Sequence, residues 1–421
     1  MPPDETVRRH GELGRRLGIT RIADVTGLDR IGIPTFSAIV PDSGDYLSVY
    51  MGKGSRRADA RAGALMEAIE RQSALKARPQ LLRGSVSELR SRTALIDPAT
   101  LVTALREDYS ESRVYDWVAG YDLLNDCETL VPAACAGYMW NHLREPGPVR
   151  RTTTHGLSAG NCLEETVSQA LCEWVERDAW TIAEVLCHWR PRAILETMTG
   201  LDPGSASEDD RERFPCLSLE GIGEPVDGLL ARFRRAGLEP VVRDLTVDLG
   251  IPVVVASVAE DAAPGFPQVH MGIGAHPDLR VAASRALTEA AQSRCGDIQA
   301  MREDIEQHDS AAHHVGGHTR RTAFIDRRRW VLSRSTRERD WRDVPEQRNA
   351  DILDDIRLLL ARLRRAGIRQ AVMVDLSPPH SSAVVLRMMV PGLEMWIVDR
   401  GRLGERAASH WRAAGSRAAH A

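Results

Sequence analysis

Between Leu163 and Ala179 the apolar positions Val167, Ala170, Leu171, Trp174 and Val175 fall on one side of a helical wheel. Turning about 100° per residue, the polar positions Glu165, Gln169, Glu173 and Glu176 gather within roughly 80° on the other. This pattern predicts an amphipathic helix with one face for a core and a second where three carboxylates and an amide converge. Further helices are expected at Asp4–Leu17, Arg57–Lys76 and Val226–Ala236. Runs of β-forming residues predict strands at Arg21–Val25, Thr35–Val40, Tyr46–Met51, Arg113–Tyr121, Thr129–Ala134, Glu239–Asp244 and Ile251–Val258. Leu359–Gly367 repeats Leu229–Gly237 almost letter for letter, and each is followed by a strand reaching Asp-Leu, at Asp244-Leu245 and Asp375-Leu376. The fold class is therefore α+β, built of helix and strand modules used more than once. The stretch 199–215 reads as a surface insertion. The charged stretch 301–349, with His308, His313, His314 and His318, reads as a solvated loop rather than a metal site.

One motif recurs three times on helical positions: Ala-Leu-x-Glu, at Ala64–Glu67, Ala170–Glu173 and Ala286–Glu289. Around each glutamate the same face repeats: Gly63, Glu67, Glu70; Gln169, Glu173, Glu176; Arg285, Glu289, Gln292. Residues at this spacing share one side of a helix. A pair of glycines precedes each copy, Gly52 and Gly54, Gly156 and Gly160, Gly272 and Gly274, and these are read as loops. Glycine loops opening onto helices bring backbone N–H groups close to an anion. The segment Gly52-Lys53-Gly54-Ser55 does not match G-x-x-x-x-G-K-[ST], so a P-loop ATPase is disfavoured.

If the faces meet, Glu67, Glu70, Glu165, Glu173 and Glu176 lie close together, and their repulsion demands a counter-charge. Hard divalent cations provide it through oxygen ligands, and Mg²⁺ commonly adds substrate phosphates to its shell. A nucleoside triphosphate clamped by Mg²⁺ is the natural ligand. Arg71, Arg177, Arg285 and Arg294 are open to two readings, phosphate contacts or ion pairs with neighbouring acids. Asn161, with Glu164 three residues on, also fits a helix N-cap with its capping-box partner.

Composition narrows the picture from outside. The 421 residues carry 55 basic and 59 acidic side chains, net charge −4, which gives no electrostatic case for nucleic acid or an anionic membrane. Of the basic residues only Lys53 and Lys76 are lysines, which draws attention to the ammonium held between Gly52 and Gly54. No run is long and apolar enough to be a signal peptide or a membrane span, so a cytoplasmic chain is expected. Seven cysteines without a CxxC pair fit free thiols better than a disulfide or zinc scaffold.

Glu67-Ala-Ile-Glu70-Arg71 and Glu173-Trp-Val-Glu176-Arg177-Asp178-Ala179, preceded by Gly160-Asn161-x-x-x-Glu165, resemble the paired signatures of the YcaO superfamily. These enzymes use ATP to activate backbone amides in peptides. The resemblance extends from about Gly18 to Asp399. It implies a YcaO fold with three glycine-to-helix units around a nucleotide site, spanning 51–399 between an N-terminal segment 1–50 and a tail 400–421. It implies ATP and Mg²⁺ as cofactors, with Glu67, Glu70, Glu165, Glu173 and Glu176 as metal ligands. Lys53, Asn161, Arg177 and Arg285 become the nucleotide contacts, and no residue is singled out as catalytic. His155 stands where many relatives carry Asn.

In such enzymes a nucleophile adds to the amide carbon, and the oxyanion takes the γ-phosphoryl group and departs as phosphate. External sulfide gives a thioamide, a Cys, Ser or Thr side chain an azoline, and a backbone amine an amidine. Azoline-forming members often end in a proline-rich tail, whereas this sequence closes Gly-Ser-Arg-Ala-Ala-His-Ala, which tilts the expectation toward a thioamide. The expected partners are a precursor peptide and a separate protein, either a TfuA-like sulfur donor or a leader-peptide binder, and a homodimer is left open. Two other classes stay in view: a non-catalytic nucleotide- or peptide-binding scaffold, and a metal-dependent hydrolase.

Overall fold

The computed structural model describes residues 1–101, 109–140, 143, 153–189, 212–261, 267–300, 330–395 and 403–418. The histidines between 301 and 329, and 199–211 of the expected insertion, lie outside them.

Three strand groups share one plan. In the first, β1 (Arg21–Asp24), β2 (Thr35–Ile39) and β3 (Val49–Lys53) run antiparallel and lead into α2 (Arg57–Lys76), with α1 (Pro3–Arg16) packed on α2. In the second, α4 (Val226–Arg235) leads to β10 (Val241–Asp244), then β11 (Val253–Asp261), β12 (Pro267–Ala275) and helix α5 (Leu279–Ala300). In the third, α6 (Ile352–Arg365) leads to β14 (Val372–Asp375) and β15 (Val384–Met389). Its outer strand β8 (Leu157–Gly160) and helix α3 (Leu163–Glu184) come from earlier in the chain. β3, β12 and β8 each lie at a sheet edge, so three edge strands and the three helices that follow them frame one centre.

The remaining strands widen two of the sheets. β9 (Cys216–Ser218) and β13 (Glu338–Asp340) extend the β10 side. β4 (Leu82–Ser85), β5 (Ala94–Leu95), β6 (Val114–Asp122) and β7 (Cys127–Pro132) extend the β14 side. The repeated Leu-Leu-Ala-Arg-x-Arg-Arg-Ala-Gly segments are α4 and α6, and they end alike. Gly237 and Gly367 take positive φ, and the next residue's N–H returns to Phe233 or Leu363, closing the helix as only glycine does cheaply.

Three expectations change here. Four of the six glycines are not in loops: Gly52, Gly160, Gly272 and Gly274 are strand residues, whereas Gly54 follows β3 and Gly156 turns, with positive φ, into β8. A Cβ on Gly52 would lie 2.0 Å from Ala64 N and 2.1 Å from Ala60 O, and one on Gly272 would lie 2.3 Å from Ala286 O. Glycine is required because helix backbone rests directly on strand backbone. The division at residue 50 cuts a sheet, since β2 pairs with β3 from Thr35↔Lys53 to Ile39↔Val49. Nor is the C-terminal stretch a tail: α7 (Glu405–Ala418) packs on α3, burying Trp411, while Arg406 pairs with the buried Asp178 at 2.8 Å. In the charged stretch, residues 338–340 form β13, parallel to β9.

Candidate functional site

The Ala-Leu-x-Glu recurrence acquires a physical meaning once the helices are placed. Ala64, Ala170 and Ala286 are 0% exposed and Leu65, Leu171 and Leu287 no more than 1%, so these pairs are the packing face. The glutamate two positions on is turned out of the core. Glu67 with Gly63, Glu176 with Gln169, and Arg285, Glu289 and Gln292 line one cleft of about 470 Å³, together with Lys53 from the end of β3. Lys53 Nζ donates to Glu289 Oε2 at 2.5 Å. Gln292 Nε2 donates to the Met51 carbonyl at 2.8 Å, tying α5 to β3.

Glu70 and Glu173 are not part of this lining but share its field. Burial pushes Glu67 up to about 7 against the pull of Lys53 and Arg71, with Glu289 and Glu173 adding to the rise. Burial and then the charges of Glu67 and Glu173 hold Glu70 well above the carboxylate range. Glu176 is pushed up to about 8, chiefly by burial, with Arg177 and Lys53 opposing and Glu289 and Glu173 reinforcing. Burial also works on Glu173, but His155, Arg177 and the Gly156 N–H outweigh it and leave this carboxyl below its ordinary value. The Gly156 N–H donates to Glu173 Oε2 at 3.2 Å, so Glu173 also holds the bend before β8. His155 Nδ1 is 3.7 Å from Glu173 Oε1, beyond a hydrogen bond, and its ring meets Trp174 edge-on at 4.0 Å.

Glu165 stands apart from the other four. It lies on the first turn of α3, about 12 Å along the helix from Glu173 at 1.5 Å per residue. Its Oε2 accepts from Asn161 N at 3.0 Å and Asn161 Nδ2 at 2.8 Å, and its Oε1 accepts the N-terminal ammonium at 2.9 Å. The capping-box reading of Asn161 with Glu164 is thereby corrected. Cys162 occupies the N-cap position, and Asn161 is bound to Glu165 because the chain enters the helix one residue later than expected.

The arginines divide the same way. Arg177 faces Glu176 at 3.7 Å, and Arg285 enters the cleft with Nη1 anchored on the Ala275 carbonyl at 3.0 Å. Arg71 turns away to the buried Asp45 at 3.0 Å and lies over the Tyr138 ring, and Arg294 is paired with Asp29 and Glu260. These last two are interior ion pairs. Two contributors escaped the sequence reading as members of the site. Glu289 carried a signal, the third copy of the motif. Arg387 carried a fainter one, a single cation inside the apolar run Val384–Met389. It is 2% exposed, donates to the carbonyls of Ala136, Gly137, Thr153 and His155, and lies in the field of Glu173 and Glu70.

The donor set suits a hard cation with a polyphosphate. It is all oxygen on the acidic side, with Lys53, Arg177 and Arg285 around it, and burial with mutual repulsion raises Glu67, Glu70 and Glu176. Among the described residues no three His, Cys, Asp or Glu side chains close around one point as a bare-metal cage. A cation here completes its shell with water or phosphate oxygens. Among the described residues, too, no helix is long and apolar enough to cross a membrane.

Residues 51–394 match the family model described as YcaO cyclodehydratase, ATP- and Mg²⁺-binding. An uncharacterised protein of Methanothermobacter thermautotrophicus is 33% identical over 97% of this chain and 98% of its own length. An uncharacterised protein of the tfuA 3′ region of Rhizobium leguminosarum bv. trifolii is 31% identical, over 96% and 90% respectively. Among solved structures, YcaO from Methanopyrus kandleri bound with AMPPCP and Mg²⁺ superposes with a TM-score of 0.70 at 24% identity, over 96% of this chain and 94% of that one. A heterocyclase in complex with substrate and cofactor gives 0.71 at 20% identity over 96% of this chain, which spans 54% of the heterocyclase. At these identities the likeness to solved structures is one of fold.

Proposed function

Since the chain belongs to the YcaO family, with ATP and Mg²⁺ as its cofactors, we propose that it phosphorylates the oxygen of a backbone amide in a ribosomally made peptide, and that the product is a thioamide. The observation that carries the reading is the cleft itself: Glu67 and Glu176, raised by burial and by each other's neighbours, face Lys53 and Arg285 at the meeting of three helices. Glu67, Glu70, Glu173 and Glu176 hold Mg²⁺ from two helices. Lys53, Arg177 and Arg285 meet phosphate oxygens. Asn161 and Glu165 form a second station farther up α3, where they bind another part of the nucleotide and its metal. Bound ATP supplies the phosphoryl group with which the amide oxygen leaves, so that amide, sulfide and ATP give thioamide, ADP and phosphate. The chain's part is positioning and charge neutralisation.

Sulfide is favoured as nucleophile by the relative in the tfuA 3′ region, and a sulfur-delivering protein is then the expected partner. Azoline formation is the second reading, favoured by the cyclodehydratase description of the family. Calorimetric titration of a non-hydrolysable ATP analogue, with and without Mg²⁺, into the protein and its Glu67→Gln variant tests the site. Mg²⁺-dependent binding, lost in the variant, is expected. Binding that ignores Mg²⁺ or survives the substitution would sink the assignment. With a peptide substrate, ATP and sulfide, exchange of oxygen for sulfur supports the thioamide, and loss of one water supports the azoline.

A further inference from the structure

Helix α1 lies outside residues 51–394, yet it reaches the second station of the site. His10 is 1% exposed, and its Nε2 is 3.0 Å from Asn161 Oδ1. On the far side of the ring, Nδ1 is 3.5 Å from Ser382 Oγ, in the turn before β15. We propose that His10 is a positioning residue for the nucleotide: it fixes the amide orientation of Asn161 and, through it, the oxygen that Glu165 presents. The proposal rests on the assignment of Asn161 and Glu165 to the nucleotide site.

The direction of each hydrogen bond follows from the groups involved. An amide oxygen only accepts, so His10 Nε2 carries the hydrogen and Nδ1 is left to accept from the Ser382 hydroxyl. Asn161 Nδ2 is then turned to Glu165 Oε2 at 2.8 Å. Flipping the amide would set oxygen against carboxylate at Glu165 and would require the His10 ring to exchange its tautomer, with Nδ1–H then donating to Ser382. At 1% exposure, His10 rather than solvent is what meets Asn161 Oδ1 in this fold. The ring itself is held by α1, which sits so close to α2 that a Cβ on Gly14 would come 2.7 Å from Leu65 Cδ1.

The test measures Mg²⁺-dependent affinity for the non-hydrolysable ATP analogue in the full chain and in His10→Ala, His10→Gln, Asn161→Ala and the His10→Ala/Asn161→Ala double variant, with thermal unfolding of each in the absence of nucleotide. Loss of one hydrogen bond predicts affinity weakened about 5- to 10-fold in His10→Ala. Glutamine, whose amide can donate from a similar position, recovers most of it. With Asn161 already replaced, removing His10 costs less than about twofold, because the relay has no second member. Equal losses in both backgrounds, or no recovery in His10→Gln, overturn the relay and leave His10 as packing. If Asn161→Ala weakens binding and His10→Ala does not, the relay alone fails. If Asn161→Ala binds like the parent, the nucleotide assignment at this station fails and the relay with it.

Discussion

Replacing Glu176 by glutamine should make the nucleotide-free protein more stable while depriving it of its ligand. The carboxyl is 12% exposed, and burial lifts it to about 8 from an ordinary 4.5. Its folded-state pKa is raised, so between these values the folded protein keeps a proton that the unfolded chain has released. Stability then falls as pH rises through that window, and little is lost below it. At about 1.4 kcal/mol per pH unit, the cost accumulated by pH 7 has a ceiling of about 3 kcal/mol. An amide of the same shape ionises in neither state and avoids it. Water entering the cleft softens the penalty, so the expected gain for Glu176→Gln is about 1–3 kcal/mol near pH 7, fading to little near pH 5. Urea unfolding in EDTA at the two pH values measures it. Repeated with Mg²⁺ and the ATP analogue, the same unfolding should show stabilisation of the parent, rising with the logarithm of ligand concentration over Kd, and none of the variant. A variant less stable than the parent near pH 7 in EDTA, or one stabilised equally by the ligand, would refute the argument that this carboxyl is strained by burial in order to meet a cation.

Gly272→Ala should lower the melting temperature, at a cost of about 2–3 kcal/mol, because the new methyl would meet the backbone at Ala286 O and at Ala290 N, 2.4 Å away. Gly11→Ala is the control: on α1 with nothing within 4 Å, it should be neutral or gain up to about 1 kcal/mol, and equal melting shifts would discredit the strand-on-helix account. Arg406→Met should cost about 3–5 kcal/mol by stranding the buried Asp178 carboxylate, and should expose α7 to limited proteolysis. Asp178→Asn in the same chain should recover part of that loss, and a double variant no better than Arg406→Met would show that the pair is not the reason α7 docks.

The sequence carried the periodic and repeated features. The polar face of α3, the three Ala-Leu-x-Glu helices and the twin helix-strand segments could all be read from spacing, because helical periodicity is a local property of the chain. The paired signatures went further and pointed to the family. Less local features were misread. Glycines ahead of helices look like loops in one dimension, and only the approach of Ala64 and Ala286 to Gly52 and Gly272 reveals these two as strand positions cleared for helix backbone. The β2–β3 pairing that erases a boundary at residue 50, and the Arg406–Asp178 contact that makes a helix of an expected tail, link positions far apart in the chain.

The division of the acidic residues shows the limit most clearly. By itself the sequence determined which carboxylates share a helix face, since about 100° per residue fixes direction around an axis. It did not settle how far apart they stand from one common centre. Glu165 shares its arc with Glu173 but lies about 12 Å up the same helix, bound to Asn161. Glu289, from another strand group, comes to 2.5 Å from Lys53. Likewise Arg71 and Arg177 occupy the same place in their two signatures, yet one is sealed onto Asp45 and the other lies 3.7 Å from Glu176, a carboxylate of the cleft. Identity and periodicity are written along the chain. Which charges are buried together, and so which must find a cation, was decided by how three sheet edges and three helices close around one space.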